Sequence, residues 1–140
     1  MIIRQLQDNQ FQIDTPDLPD YKFFCFSGKP RYCQVISGRN TEEVIDFYDK
    51  DWIHQPFHEQ KKYRFADVPA TKPKHLEEMW DIAKQLSQCS PFLRVDFYEI
   101  RDKVFFGEIT FFPTSGYGGF DPEEWDYKFG SWINLDNLRK

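Results

Sequence analysis

The stretch RVDFYEIRDKVFFGEITFF, residues 94–112, limits the fold of this chain more than any other. Two runs of β-branched and aromatic residues flank the polar residues Arg101, Asp102 and Lys103, which is the pattern of an antiparallel hairpin. Each run carries an acid at its centre, Asp96 in the first and Glu108 in the second. Side chains alternate along a strand. Arg94, Asp96, Tyr98 and Ile100 therefore share one face, and Val104, Phe106, Glu108, Thr110 and Phe112 share a face of the second strand. A three-residue loop, 101–103, sets Ile100 against Val104, Tyr98 against Phe106, Asp96 against Glu108 and Arg94 against Thr110. A loop one residue shorter or longer sends the acids to opposite sides, because each one-residue slip flips a face.

In the odd-loop register the two carboxylates face each other with Cβ atoms about 5 Å apart, and like charges so placed are destabilising. A proton shared by the pair offsets this, and so does a hard cation. Mg²⁺ takes oxygen ligands at about 2.1 Å and commonly combines one or two carboxylates with substrate phosphates. Arg94 can hold a phosphate oxygen, and Thr110 offers an oxygen ligand or a hydrogen bond. The plainer reading leaves both acids on the wet face of an amphipathic hairpin, with Arg94 as an ion-pair partner. The apolar neighbours on both faces and the Gly-rich loop PTSGYGG that follows weigh against it.

The remaining chain supplies partners for this hairpin. Residues 1–19 are polar and Pro-punctuated and read as an irregular lead-in, and residues 20–140 as a single domain. DYKFFCFS and RYCQVISG read as strands joined around GKP, and EEVIDFYD as a third extended stretch. Residues 51–74 form a long connection with aromatic anchors at Trp52, Phe57, Tyr63 and Phe65. Leu76, Met79, Trp80, Ala83 and Leu86 fall on one helical stripe. A last helix is expected from Asp121, with Pro122 at its first position, an Asp-x-x-Glu capping box to Glu124, and Gly130 at its end. Strands and helices in this order predict an α+β fold, an antiparallel sheet with two main helices packed on it.

Composition narrows the partners. Aromatic residues make up 19% of the chain, ring surface that needs a core. The net charge of -5 argues against nucleic acid, which selects a cationic face, while leaving room for a local basic pocket. No apolar run reaches the length of a membrane span, and the first residues resemble neither a secretory signal nor a transit peptide, so a cytoplasmic protein is expected. Cys25, Cys33 and Cys89 read as reduced thiols, and His54, His58 and His75 as ordinary polar or half-buried side chains rather than ligands.

Arg94-x-Asp96-Phe97, then Glu108-x-Thr110 and the Pro/Gly-rich loop, resembles the C-terminal metal-binding signature of ATP-grasp enzymes. With DYKFFCFSGKP, FLRVDFY and GEITFFPTSGYGGFDP, the chain looks like the C-terminal half of the teichuronopeptide-biosynthesis-type (TupA-like) ATP-grasp family over residues 18–135. Members accompany bacterial capsule and surface-polysaccharide genes and are often labelled glycosyltransferases. The resemblance implies ATP and Mg²⁺ as cofactors, with Asp96 and Glu108 on the metal, Thr110 where relatives have Asn, and Arg94 as a catalytic arginine on the phosphate side. It also implies nucleotide contacts at Asp20 and Lys22, and a further phosphate contact at Arg39. The chemistry implied is ATP-dependent carboxylate activation through an acyl phosphate. The Gly-rich lobe that closes over ATP in such enzymes has no counterpart in residues 1–19, so a truncated protein or a partner chain supplying that lobe is expected. A non-catalytic remnant or interaction module docking on a biosynthetic partner is the alternative. A sugar-transferring enzyme is a further one, without a donor-sugar motif such as Asp-x-Asp.

Overall fold

The computed structural model describes residues 19–37, 43–59, 64–111 and 119–133. Strands β1 (Asp20–Phe26), β2 (Lys29–Ser37), β3 (Val44–Tyr48), β5 (Phe92–Ile100) and β6 (Lys103–Thr110) form an antiparallel sheet in the order β3-β2-β1-β5-β6. Two short strands, β4 (His58–Glu59) and β7 (Phe120–Asp121), pair separately. Helices α1 (Leu76–Leu86) and α2 (Glu124–Ser131) pack on opposite faces of the large sheet, giving the expected α+β architecture.

Burial on both faces explains why β1, DYKFFCF, does not alternate apolar with polar: all seven of its residues are buried. Tyr21, Phe23 and Cys25 point toward α1 and meet Met79, Trp80 and Ala83. Phe23 lies between Trp80 and Phe97, 5.5 Å from each ring centre and nearly perpendicular to both, a geometry that adds about 0.5–1.5 kcal/mol per pair to simple burial. Phe24 and Phe26 point the other way, into a cluster with Tyr32, Phe47, Phe57 and Phe129. This second core is almost entirely aromatic, and its rim holds Trp125 and Trp132.

The hairpins are tighter than the sequence suggests. The first turns at Ser27-Gly28 (φ 50° and 80°) rather than around GKP. The second turns at Arg101-Asp102 (φ 50° and 62°), with Ile100 paired to Lys103. Two consecutive positive-φ residues match the right-handed twist of the flanking strands. Each hairpin then contains a one-residue shift in register. In the first, Phe24 pairs with Tyr32 and Cys25 with Pro30, so Arg31 is the extra residue. Its guanidinium lies over the Trp132 ring at 4.5 Å.

The connection after β3 is held by its aromatics, as anticipated for Trp52, Phe57 and Phe65; Tyr63 lies outside the described residues. Trp52 stacks on Tyr48 at 4.4 Å and donates Nε1–H to the Ala70 carbonyl at 2.9 Å. Phe57 is fully buried in the second core, and Phe65 stacks on His58. Helix α1 buries Leu76, Met79, Trp80 and Ala83 of the predicted stripe, whereas Leu86 at its end is exposed. Its start is satisfied from a distant strand: Glu99 carboxylate oxygens accept the Lys74 and His75 backbone N–H groups at 3.2 and 2.9 Å.

Helix α2 departs from expectation. It spans Glu124–Ser131 and has no side-chain cap, because Asp121 is taken into β7, paired with His58. Gly130 lies inside the helix instead of ending it. Asp126 instead ties the helix to β7, accepting the Phe120 N–H at 2.9 Å.

Burial gives two checks on this packing. Cys25 and Cys33 are buried and Cys89 is exposed. A thiol reagent on the native protein is expected to count one fast cysteine, Cys89, and three after urea; fast reaction of Cys25 or Cys33 would contradict the sealed first core. Burial also pushes Cys25 from 9.0 to about 12 and Tyr21 from 10.0 to about 12. Above about pH 9 the unfolded chain loses these protons while the native one keeps them, so stability falls as pH rises toward 12 and gains no slope from these groups below pH 9. Urea midpoints across that range measure it.

Candidate functional site

The α2-side face of the sheet changes character along β1. One cross-strand row reads Tyr32, Phe24, Arg94, Thr110 from β2 to β6. The next reads Phe47, Gln34, Lys22, Asp96 from β3 to β5. Aromatic packing thus gives way to a polar patch spread over β2, β1, β5 and β6. Asp20, Lys22, Gln34 and Asp96 are all buried.

A two-residue turn should have separated the acids. Continued without interruption, the register at the turn would set Asp96 against Gly107 and Glu108 against Val95, on the α1 side. A bulge prevents this. Phe97 pairs with Phe106 but Val95 pairs with Ile109, so Asp96 stands opposite both Gly107 and Glu108. Beyond the bulge Glu108 and Thr110 return to the face of Asp96 and Arg94, and Ile109 returns to the apolar face. The face-sharing expected from a longer loop is reached by a shorter loop plus a bulge. Glycine is required where the strand bends: a Cβ at position 107 would lie 2.9 Å from Tyr98 Cε2 and 3.2 Å from the Asp96 carbonyl oxygen.

The two acids meet on a cation that the chain itself supplies. Arg94 donates Nε–H to Asp96 Oδ1 at 2.9 Å and Nη2–H to Asp96 Oδ2 at 3.0 Å, a two-pronged fork. Nη2 also reaches Glu108 Oε1 at 3.3 Å and Thr110 Oγ1 at 3.1 Å. It has two hydrogens for three acceptors, so one hydrogen bond is shared. Lys22 Nζ donates to Asp96 Oδ2 at 2.6 Å and lies 3.6 Å from Asp20 Oδ2. The Asp96 side chain is 3% exposed, while Glu108 is 64% exposed and open to solvent on the same face.

Six of the seven residues singled out from the sequence, Asp20, Lys22, Arg94, Asp96, Glu108 and Thr110, are therefore in one patch. Arg39 lies outside the described residues, as does most of the PTSGYGG loop. Gln34, opposite Lys22 and 1% exposed, belongs to the patch and was not anticipated. Its signal was available: a lone amide inside YCQVI is as anomalous as an acid inside RVDFY. The same signal misleads at Asp46 in VIDFY, which pairs with Val35 on the α1 face. There it takes His54 Nε2 at 2.7 Å and the Ala66 N–H at 3.1 Å, anchoring the following loop.

The donors of Asp96, Glu108 and Thr110 are all oxygen, which suits a hard cation such as Mg²⁺. No group of three His, Cys, Asp or Glu among the described residues is placed to hold a metal unaided.

The sequence profile described as TupA-like ATPgrasp matches residues 1–134. The chain belongs to the TupA-like ATP-grasp family. No curated protein and no solved structure matches it. The family match takes in the polar lead-in as well as the sheet and helices. It relates this TupA-like protein to nucleotide-binding, ligase-type enzymes, and the polar face carries the residues of the motif that pointed there. Among the described residues no helix is long and apolar enough to cross a membrane.

The bulge in this TupA-like protein can be tested directly. Gly107→Ala must push the Tyr98 ring or the Asp96 backbone aside, and is expected to lower stability by about 1–3 kcal/mol in urea unfolding. An unchanged midpoint would mean that the bulge accepts a side chain and does not depend on glycine.

Proposed function

We propose that the polar face of the sheet binds ATP with Mg²⁺, as one half of a carboxylate-activating ATP-grasp ligase of bacterial surface or capsular polysaccharide biosynthesis. The observation that carries this reading is the meeting of Asp20, Lys22, Arg94, Asp96, Glu108 and Thr110 on one sheet face from three strands. Asp96 and Glu108, with Thr110 beside them, would hold the metal. Mg²⁺ when bound supplies electrostatic stabilisation of charge on the phosphoryl oxygens. Arg94 supplies a planar fork matched to two phosphate oxygens, and Lys22 a compact cation one strand away. Asp20 restrains the Lys22 ammonium at 3.6 Å and is suited to a ribose hydroxyl. Arg39 is assigned a further phosphate contact. The lobe that closes over the nucleotide is assigned to a partner chain or to sequence outside this one, and the catalytic compartment to the cytoplasm.

A second reading has its own support. Both oxygens of Asp96 are already engaged by Arg94 and Lys22, which is how a purely structural charge cluster looks. A non-catalytic module of the same family, docking on a biosynthetic enzyme, would keep that cluster for its fold. The sugar-transfer label carried by relatives has no counterpart among these residues.

Ligand-induced stabilisation separates the two. Adding ADP and Mg²⁺ at about ten times their Kd stabilises a binding protein by about 1.4 kcal/mol, a rise in Tm of about 4 °C for a domain of this size. The expected result is that rise in the unaltered protein and none in Asp96→Asn, each compared with its own ligand-free melt. Equal melts with and without nucleotide in the unaltered protein favour the docking module.

A further inference from the structure

We infer that Arg94 is an internal counter-cation that closes the carboxylate site to free divalent metal until an anionic ligand draws the guanidinium away. This rests on the reading of the face as a metal–nucleotide site.

The inference starts from how completely Asp96 is used. Its Oδ1 accepts Arg94 Nε–H at 2.9 Å; its Oδ2 accepts Arg94 Nη2–H at 3.0 Å and Lys22 Nζ–H at 2.6 Å. The carboxylate is 3% exposed and the Arg94 side chain 12% exposed, so the fork is packed in place rather than waving in solvent. A divalent cation has to approach one of these oxygens to about 2.1 Å. It would then stand beside a guanidinium already at hydrogen-bond distance from the same oxygen, and within reach of the Lys22 ammonium. The same Nη2 also reaches Glu108 Oε1 at 3.3 Å and Thr110 Oγ1 at 3.1 Å, which leaves a free cation only the solvent-facing side of the Glu108 carboxylate among these three residues. All three proposed metal ligands converge on one nitrogen.

Charge explains why the arrangement persists without ligand. Asp20, Asp96 and Glu108 carry three negative charges against two positive charges on Lys22 and Arg94, leaving one net negative charge, on the open side where Glu108 meets water. A bare divalent ion gains little from so nearly balanced a cluster. A phosphate changes the exchange. It offers the guanidinium another pair of oxygens with the same planar two-pronged match, so Arg94 can leave Asp96 without losing its hydrogen bonds. Asp96 Oδ1 is then free for a cation, and the added negative charge favours one. Metal and phosphate therefore assist each other through Arg94, and each raises the affinity for the other by the same factor.

The test needs metal alone. Mn²⁺, counted by its electron spin resonance, is titrated into the nucleotide-free full chain and into Arg94→Gln, which keeps bulk and hydrogen bonding but removes the cation. The expected result is that Arg94→Gln binds one Mn²⁺ at least about tenfold more tightly than the unaltered protein. Adding Asp96→Asn to Arg94→Gln should abolish that gain. Equal Mn²⁺ affinity in the unaltered protein and Arg94→Gln overturns the inference. So does a gain that survives Asp96→Asn, since the metal would then lie elsewhere. If Arg94→Gln loses its cooperative melt, Arg94→Met, which keeps bulk but removes the cation, takes its place. It must show the same gain, and no gain overturns the inference. The nucleotide melt described above is read separately. Protection by ADP and Mg²⁺ with no gain in Arg94→Gln rejects the counter-cation and keeps the nucleotide site, whereas a gain without protection rejects the nucleotide reading.

Discussion

An ionised carboxylate as deeply buried as Asp96, 2% exposed, costs several kcal/mol unless cations and donors replace its water. Lys22 and Arg94 do so, and the demand reaches across three strands. Lys22 comes from β1 and must point away from α1, which fixes the parity of Tyr21, Phe23 and Cys25 toward α1 and of Phe24 and Phe26 away from it. Arg94 comes from β5, two residues before Asp96, and its remaining donor capacity is met by Glu108 and Thr110 on β6. A slip of one residue in any of these strands would leave a charge facing an aromatic core. The cluster thus specifies the register of the sheet, as buried polar groups do in some other folds, and it makes alternative pairings costly.

Register specification alone does not require this much polar material. The Asp46–His54 pair on the opposite face of the sheet shows the economical form: one buried acid, one histidine and one backbone N–H, holding a loop to β3. The polar face has two cations, three acids, an amide and a hydroxyl, with Glu108 left open to solvent. A hydrophobic replacement of such a cluster is commonly neutral or stabilising. The polar face thus carries more charge than the register of the sheet requires, and its outer acid, Glu108, faces solvent.

Much of this was legible in the sequence, and the failures have particular causes. The α1 stripe was readable because its partners lie on one face only. β1 was readable as a strand but not as one buried on both sides, since DYKFFCF has no period of two to reveal which residues face which layer. The hairpin turn is one residue shorter than the sequence predicts, because Arg101-Asp102 lacks the glycine that usually marks two consecutive positive-φ positions. Helix α2 starts later than the sequence predicts, because Asp121 is a good cap by local chemistry, yet its backbone is claimed by His58 some sixty residues away in the chain. The Glu99 cap on α1 and the inclusion of Gln34 in the patch depend on contacts between distant segments, which propensity and spacing do not encode.

The acids were brought together for a reason the sequence contained but did not make obvious. Two-residue turns are the tightest way to join antiparallel strands, and they pair residues so that the faces on either side stay in step with the turn. Asp96 lies five residues before Arg101 and Glu108 six residues after Asp102, so in such a hairpin the two are out of step. Gly107 is the glycine the turn does not have: it stands beside the acid, where a bulge must bend the strand against the Tyr98 ring and the Asp96 carbonyl. A glycine inside an otherwise β-branched and aromatic strand, one position before an acid, marks the place where register is deliberately shifted. Once that shift is made, Glu108 and Thr110 turn toward Arg94 and Ile109 turns back toward the apolar side, so the same residue completes both the polar patch and the apolar side of β6.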